Sequence, residues 1–486
     1  MDTMIRADVR HDHLRIAGRK VETGARLEVR YPWDNRLVGT VPRATPELVA
    51  EAFQIACDYK PKLTRYQRQK ILLKTADLLV SRKEELSRLI TLESGLCLKD
   101  SLYEVGRAYD VFTFAGQLCL MDDGQTFSCD LTPHGKPRKI FTLRQPLNAI
   151  SAITPFNHPL NMVAHKLAPA FATNNCVVLK PTELTPLTAL FLADTLYEAG
   201  LPPQMLSVIT GNPSDIGDAM IVDPHADLIT FTGSVRVGKY IAEKAGYKRI
   251  VLELGGNDPL IVMEDADLDL AVDLAIKGGF SLTGQACTGT SRILVVPSVK
   301  QAFTDKLLAR VAALKIGNGM QPGLDLGPLA TEKQLQTVLK YIAIGKSEAR
   351  LLCGGERLTG AEFDKGYYVS PAVFTDVKNS MRIAQEEIFG PVLAIIEVAD
   401  FDDALRQAND SQYGLSASIV TMNPRYMHVF TNEIQAGTVK INRTTTGNLV
   451  NAPFGGLKNS STSTFRESGR AGLEFFTQVK TVYRGV

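Results

Sequence analysis

Metal-binding spacing is missing from this sequence. Its seven cysteines (Cys57, Cys97, Cys119, Cys129, Cys176, Cys287 and Cys353) form no C-x-x-C pair, and its seven histidines form no H-E-x-x-H pattern. No metal is expected. An odd, scattered set of thiols also argues against a disulfide framework and suits the cytoplasm. No apolar run approaches the roughly 18 residues of a membrane span. The N-terminal MDTMIRADVRHDHLRIAG mixes charges of both signs and has no apolar core, unlike a secretory signal. With a net charge of +2 there is no broad basic field, so nucleic acid is a poor partner. Repeats, low-complexity tracts and Pro/Ser-rich linkers are also missing. What remains is a globular composition, 45% hydrophobic and 22% charged, in a 486-residue chain long enough for two or three domains.

Changes of pattern organise the chain. LEVRYPWDNRLVGTVP predicts a short hairpin, and residues 47–117 predict helices from apolar residues at three- and four-residue intervals. FSCDLTPHGKPRKIFTLR, residues 127–144, predicts a two-stranded ribbon with no core of its own. From Ala149 short apolar strands alternate with helices: AISAI, CVVLK, LSVIT, LITF and IVLEL. That alternation predicts a parallel sheet of the dinucleotide-binding class. A second alternating series begins near Leu260 and runs on through ILVV, PVLAIIEV, ASIVT and TVKIN, and FFTQVKTVYRG reads as a last strand.

In an open parallel sheet, ligands gather at the carboxyl ends of the strands. Five punctuated segments fall at such ends or in comparable loops: TPFNHP, KPTELTP, FTGSVRVG, LELGGNDP and GQACTGTSR. In the last, Cys287 sits among small neighbours that would admit a carbonyl substrate to a thiolate. Taken alone, a buried thiol acting as a small hydrophobe is the commoner outcome. Glu253 ends an apolar strand, where a carboxylate is costly unless it is paired or useful as a base. Asn157 offers an amide N–H for an oxyanion, although a lone loop Asn more often serves a turn. FTGSVRVG lacks the G-x-G-x-x-G fingerprint, but Gly233 and Ser234 suit a pyrophosphate at a helix N-terminus. Lys180 and Glu183 could grip ribose hydroxyls, and the carboxylate favours NAD while leaving NADP possible.

Together TPFN, KPTELTP, FTGS, LELGGNDP, GQACT, EEIFGPV and APFGGLK resemble the aldehyde dehydrogenase superfamily over essentially the whole chain. The 34-residue step from Glu253 to Cys287 fits the resemblance. It implies an α/β fold with a Rossmann-type cofactor domain (residues 1–126 and 145–253), an α/β catalytic domain (254–450) and a small β oligomerisation arm (127–144 and 470–486). It implies a homodimer or homotetramer. It also implies Cys287 as nucleophile, Asn157 as oxyanion donor and Glu253 as the base that frees the acid. The cofactor would lie against Thr154, Pro155, Phe156, Lys180, Glu183, Gly233, Ser234, Leu254, Glu387 and Phe389.

Three residues bear on the substrate. By resemblance, Arg107, His158 and Arg443 border the aldehyde tunnel, and two arginines with a histidine suit an anionic tail. RYPW, LTRYQRQKILL, DSLYEVGRAYDVFT and ISAITPFNHPLNMVAHK look like phosphonoacetaldehyde dehydrogenases. That group carries an arginine immediately before the nucleophile, where this chain has Ala286. GQACTGTSR and NRTTTGNLVNAPFGGLKNSSTSTFRESG look more like semialdehyde-oxidising members. The first expectation is phosphonoacetaldehyde, and the alternative is succinate or 2-oxoglutarate semialdehyde. A CoA-acylating enzyme is less compatible with Glu253, and a catalytically idle NAD-binding relative with the Cys287, Glu253 and Asn157 set. Arg292 is expected to be structural.

Overall fold

A computed structural model describes residues 9–121, 124–461 and 465–484. The first eight residues of the N-terminal stretch, residues 122–123, Thr462–Thr464 of the APFGGLK-bearing run and the final two residues lie outside the described residues. Two seven-stranded sheets dominate. In the first the order is Arg249–Glu253, Leu228–Thr232, Ala149–Ile153, Cys176–Lys180 and Leu206–Val208, all parallel, then antiparallel Leu14–Ile16 and Arg19–Val21. The central strands are almost wholly buried apolar runs, as expected where helices cover both faces. From Ala149–Ile153 the chain winds outward through two crossovers. It then returns past its start to Leu228–Thr232 and winds the other way. The gap between those two neighbouring strands is therefore a topological switch point, where ligands bind in such sheets.

The second sheet runs Arg350–Cys353, Ala372–Val377, Val392–Glu397, Thr290–Val295, Asp258–Val262, Ser416–Val420 and Thr438–Ile441. Only Arg350–Cys353 pairs antiparallel. The strands read from sequence are present, whereas Arg350–Cys353 and Ala372–Val377 were not foreseen. The hairpin lies at Arg26–Arg30 and Leu37–Pro42, and the helical stretch resolves into Pro46–Asp58, Arg65–Ser81, Lys83–Ser94 and Leu98–Leu118.

The ribbon, Thr126–Ser128 with Lys139–Pro146, gains a third strand from the C-terminal segment, Thr477–Tyr483. That last strand starts later than the sequence suggested. Phe475 and Phe476 are only 1% and 0% exposed and belong to the core around the first sheet, with Phe475 ending the short helix Ala471–Phe475. Burying two aromatic rings outweighs the β-propensity of the pair.

Candidate active site

The loop before Cys287 is held in an uncommon shape. Leu282, Thr283 and Gly284 all take left-handed φ values of 55°, 57° and 73°. For the two non-glycine residues this costs about 1–3 kcal/mol each and must be imposed by surroundings. Those surroundings are visible. Thr283 Oγ1 donates to Gly327 O at 3.0 Å, and Gln285 Oε1 accepts from Ala330 N at 3.0 Å. A Cβ on Gly284 would lie 2.2 Å from the Gly390 carbonyl carbon, so only glycine fits beside the EEIFGPV loop. On the other side a Cβ on Gly256 would lie 2.3 Å from Cys287 O, so the LELGGND loop presses directly on the cysteine.

Asn157 reaches this loop from the first sheet. Its side-chain amide is buried and donates to Gln285 O at 3.0 Å, two residues before Cys287. An amide nitrogen has two protons, so a second donor is left for a substrate oxygen. The Cys287 thiol is pushed well above the usual thiol range by burial, reinforced by Asp258, Glu387 and Glu253. Two of the sequence candidates, Glu387 and Glu253, therefore share one electrostatic neighbourhood with it.

Glu253 ends the strand Arg249–Glu253 and is 3% exposed, with neither carboxylate oxygen hydrogen-bonded. Its carboxyl is held well above the ordinary range by burial and by Glu467, with Lys166 and Arg466 opposing. The reason lies one layer down. Lys166 is buried and donates to Glu467 Oε1 at 2.8 Å and Thr230 Oγ1 at 3.0 Å. Sequence reasoning passed over Lys166 and Glu467, because 301 residues separate them. A lysine inside the apolar helix pattern NMVAHKLAPAFA was the one local sign, since a buried Lys needs a partner.

The expected cofactor residues gather at the switch point. Thr154 follows the strand Ala149–Ile153, and its N–H donates to Lys180 O at 3.2 Å. Thr154 Oγ1 and Thr232 Oγ1, at the ends of the two strands flanking the switch point, are buried without partners and fit hydroxyl-bearing or phosphate ligands. Lys180 is 3% exposed, lies 4.0 Å from Glu183, and has its ammonium pKa depressed by burial. Ser234 caps the ten-residue helix Val235–Lys244 by accepting from Val237 N at 3.4 Å, leaving earlier N–H groups of that turn for an anion. Gly233 differs from expectation: the space where a side chain would stand is filled by the Phe231 ring, which would lie 2.4 Å from a Cβ there. Packing thus explains this glycine without any ligand. Leu254 is buried against Gly238 of that helix.

Glu387 accepts from Gly256 N at 3.1 Å, and burial pushes its carboxyl up to about 7. Phe156 and Phe389, from the TPFN and EEIFGPV motifs, meet edge to face with centroids 6.0 Å apart. Pro155 is half-buried beside them. Arg292 is structural as expected, 1% exposed and donating to Asn257 O, Asn379 Oδ1, Gln407 O and Ala408 O.

The three substrate candidates part company. His158 Nδ1 is hydrogen-bonded to the fully buried Glu104. Its imidazole is driven down by burial, but Glu104 and Asp100 outweigh that and leave it raised overall. Arg107, half-buried on the helix Leu98–Leu118, acts electrostatically on His158 and on His165 yet makes no hydrogen bond or ion pair with any described residue. His165 is pushed down to about 3 by burial and by Arg107, so it is neutral. It lines an apolar recess with Val111, Phe114, Leu118, Pro169 and Val450. Arg443 does not converge with this group. It is exposed, and the charge it acts on is Lys440.

Among the described residues no helix is long and apolar enough to cross a membrane, and no group of three His, Cys, Asp or Glu could hold a metal ion.

Comparison with known proteins bears on this geometry. The chain is 41% identical to a 2,5-dioxopentanoate dehydrogenase of Saccharolobus solfataricus, covering 86% of this chain and 87% of that protein. It is 40% identical to an alpha-ketoglutaric semialdehyde dehydrogenase of Bacillus subtilis, over 96% of each. The crystal structure of an NAD-dependent aldehyde dehydrogenase from Sinorhizobium meliloti superposes with a TM-score of 0.93 at 34% identity, covering 98% of this chain and 95% of that one. Residues 19–482 match the aldehyde dehydrogenase family. A dinucleotide-type switch point, a cysteine on a strained loop and a buried orphaned carboxylate beside it agree with that match: the chain is a member of the aldehyde dehydrogenase family.

Proposed function

We propose that this aldehyde dehydrogenase oxidises a short aldehyde with a carboxylate at its far end, 2-oxoglutarate semialdehyde first, using NAD. The observation that carries the substrate class is Arg107, a half-buried guanidinium with no partner among the described residues, next to a His158 biased toward its charged form. A half-buried cation without a partner is partly desolvated, and an anionic ligand offsets that cost. The semialdehyde dehydrogenases similar to this chain support a carboxylate over a phosphonate. Phosphonoacetaldehyde, the first expectation, finds no such support, and Ala286 removes a third anion ligand.

The residues then take these parts. Cys287 Sγ, once deprotonated, attacks the aldehyde carbon, and the oxygen becomes an oxyanion held by the Asn157 amide. Lys180, Glu183, Ser234 and Glu387 would hold NAD, with Phe156 and Phe389 toward its nicotinamide, and bound NAD would accept the hydride that leaves the carbon bonded to Cys287 Sγ. The acyl group is left as a thioester on Cys287. Glu253 takes a proton from water, the hydroxide adds to the thioester carbon, and the thiolate leaves with release of the acid. Two carboxylate oxygens free of hydrogen bonds suit a water-activating base, which supports hydrolysis over acyl transfer to CoA.

The three-stranded sheet supports a role in pairing copies of the chain. It leaves Phe127, Leu143, Val479 and Tyr483 between 45% and 71% exposed, and Leu131 between its strands is 83% exposed.

Oxidation of 2-oxoglutarate semialdehyde with NAD, followed by product analysis, tests the reading. One 2-oxoglutarate per NADH in the absence of CoA is expected; an obligatory need for CoA, or no NADH, would end it.

A further inference from the structure

Glu104 and Arg107 lie three residues apart on the helix Leu98–Leu118, a spacing at which acid and base are neighbours on one face. They do not pair. Glu104 is 0% exposed and turns away from the arginine: one oxygen binds His158 Nδ1, and the other accepts from the backbone N–H of Asn161 at 3.1 Å. The two contacts bracket the four-residue step between the oxyanion amide, Asn157, and the helix Asn161–Ala172. Arg107 is consequently left without a partner among the described residues.

We propose that Glu104 is the positioning residue of the anion subsite, holding His158 as a hydrogen-bonded cation beside the free Arg107 guanidinium so that both face the carboxylate end of the aldehyde. This rests on the substrate reading above and extends it to a residue that touches no substrate. The charge balance supports it. A buried carboxylate paired with an imidazolium is neutral, which leaves the Arg107 guanidinium as the unpartnered cation of the group. Had Glu104 paired with Arg107, the cluster would hold no unpaired cation. His165, the other ring Arg107 faces, is neutral, and its Nδ1 lies 3.3 Å from Ser468 Oγ.

The other charge acting on His158 is Asp100 on the same helix, and Lys99 and Asp325 act on Asp100 in turn. Burial pushes Asp100 up to about 6, so it is anionic at neutral pH and reinforces the charged imidazole. A raised imidazole pKa keeps the cation as pH climbs past the ordinary value near 6.5, and anion binding weakens only above the raised value. Without the Glu104 charge, burial is left to push the imidazole below its ordinary value, and the loss of anion binding moves down in pH with it.

The test is the ratio of kcat/KM for 2-oxoglutarate semialdehyde to that for propanal, measured from pH 6 to 9 for the wild-type enzyme, Glu104→Gln and His158→Gln. Glu104→Gln keeps an acceptor for Asn161 N–H and removes the charge. The pH at which the ratio falls is expected to be lower in Glu104→Gln than in the wild-type enzyme, with a loss of at least tenfold between the two transitions. His158→Gln is expected to lose selectivity to a similar degree with no pH dependence between 6 and 9, and the double variant to lose little more. Equal losses on both substrates, or a pH profile of the ratio that is unmoved in Glu104→Gln, would overturn the role of Glu104. A wild-type enzyme with no preference for the anionic aldehyde would instead remove the substrate reading and this inference with it. The wild-type arm therefore separates the two failures.

Discussion

Asn157 donates its side-chain amide to Gln285 O at 3.0 Å, tying the end of a strand in one sheet to the nucleophile loop of the other. On the proposed mechanism this bond sets the oxyanion donor relative to Cys287 before any substrate arrives, which is how such donors gain their effect. Asn157→Ala removes the donor and leaves the Gln285 carbonyl without this partner. A fall in kcat of roughly 10²–10³, with a much smaller change in NAD affinity, is expected. Steady-state kinetics and cofactor titration check it; a kcat within threefold of wild type would remove Asn157 from the mechanism.

Cys287 rests as a thiol, because burial and the nearby Asp258, Glu387 and Glu253 carboxyls all oppose its ionisation. Alkylation of Cys287 by iodoacetamide in the cofactor-free enzyme should therefore be slow at pH 7 and still be rising at pH 9. An ordinary thiol, with pKa near 8.5, would already be bending toward a plateau there. Mass spectrometry of the labelled peptide gives the rate at this cysteine alone. A plateau reached by pH 7 would mean that the free enzyme already holds a thiolate.

Glu253 carries the opposite consequence. A raised carboxyl pKa means that the base form appears only at higher pH, so deacylation should quicken well above the pH 4–5 range of an ordinary glutamate. Glu253→Gln should leave a rapid burst of NADH and slow the following turnover at every pH. Stopped-flow absorbance reads both phases, and loss of the burst would assign Glu253 to the earlier thiol step.

Behind Glu253, Lys166→Met leaves Glu467 buried without its partner. Breaking such a pair from one side costs about 3–5 kcal/mol, whereas replacing both members by apolar residues costs far less. Urea unfolding should therefore show Lys166→Met strongly destabilised and Lys166→Met with Glu467→Leu much closer to wild type. Equal stability of the two variants would mean that the ion pair is loosely solvated.

Arg107→Ala removes the unpartnered guanidinium. The KM for 2-oxoglutarate semialdehyde should rise at least tenfold more than the KM for propanal, as expected of an interaction made with the anionic end alone. Arg443→Ala, at an exposed site apart from this group, should change the two substrates alike. The reverse pattern would move the anion site to the loop of Arg443.

Local signals carried the reaction and much of the frame. Cys287, Glu253 and Asn157 stand in short punctuated segments at strand ends, and the alternating apolar runs mark five strands of the first sheet and five of the second. Arg350–Cys353 escaped notice because it is a short, partly exposed edge strand whose residues follow a long helix without a turn signal. Ala372–Val377 contains Asp376 in a left-handed conformation with a register shift beside it, which breaks the period-two pattern. Glu104, Gln285, Lys166 and Glu467 were hidden for another reason. Each acts through a partner distant in sequence, and helix periodicity says only that a position is buried. The early start assigned to the last strand has the same origin, since Phe475 and Phe476 look like strand residues until the core that takes them is known.

The most direct test of the central claim is a kcat/KM panel with NAD and NADP against 2-oxoglutarate semialdehyde, succinate semialdehyde, phosphonoacetaldehyde, betaine aldehyde and propanal. The expected order places 2-oxoglutarate semialdehyde first with NAD, succinate semialdehyde and phosphonoacetaldehyde behind it, and the cationic betaine aldehyde last by at least a hundredfold. Betaine aldehyde at the head of the panel, or phosphonoacetaldehyde ahead of both carboxylates, would contradict the account.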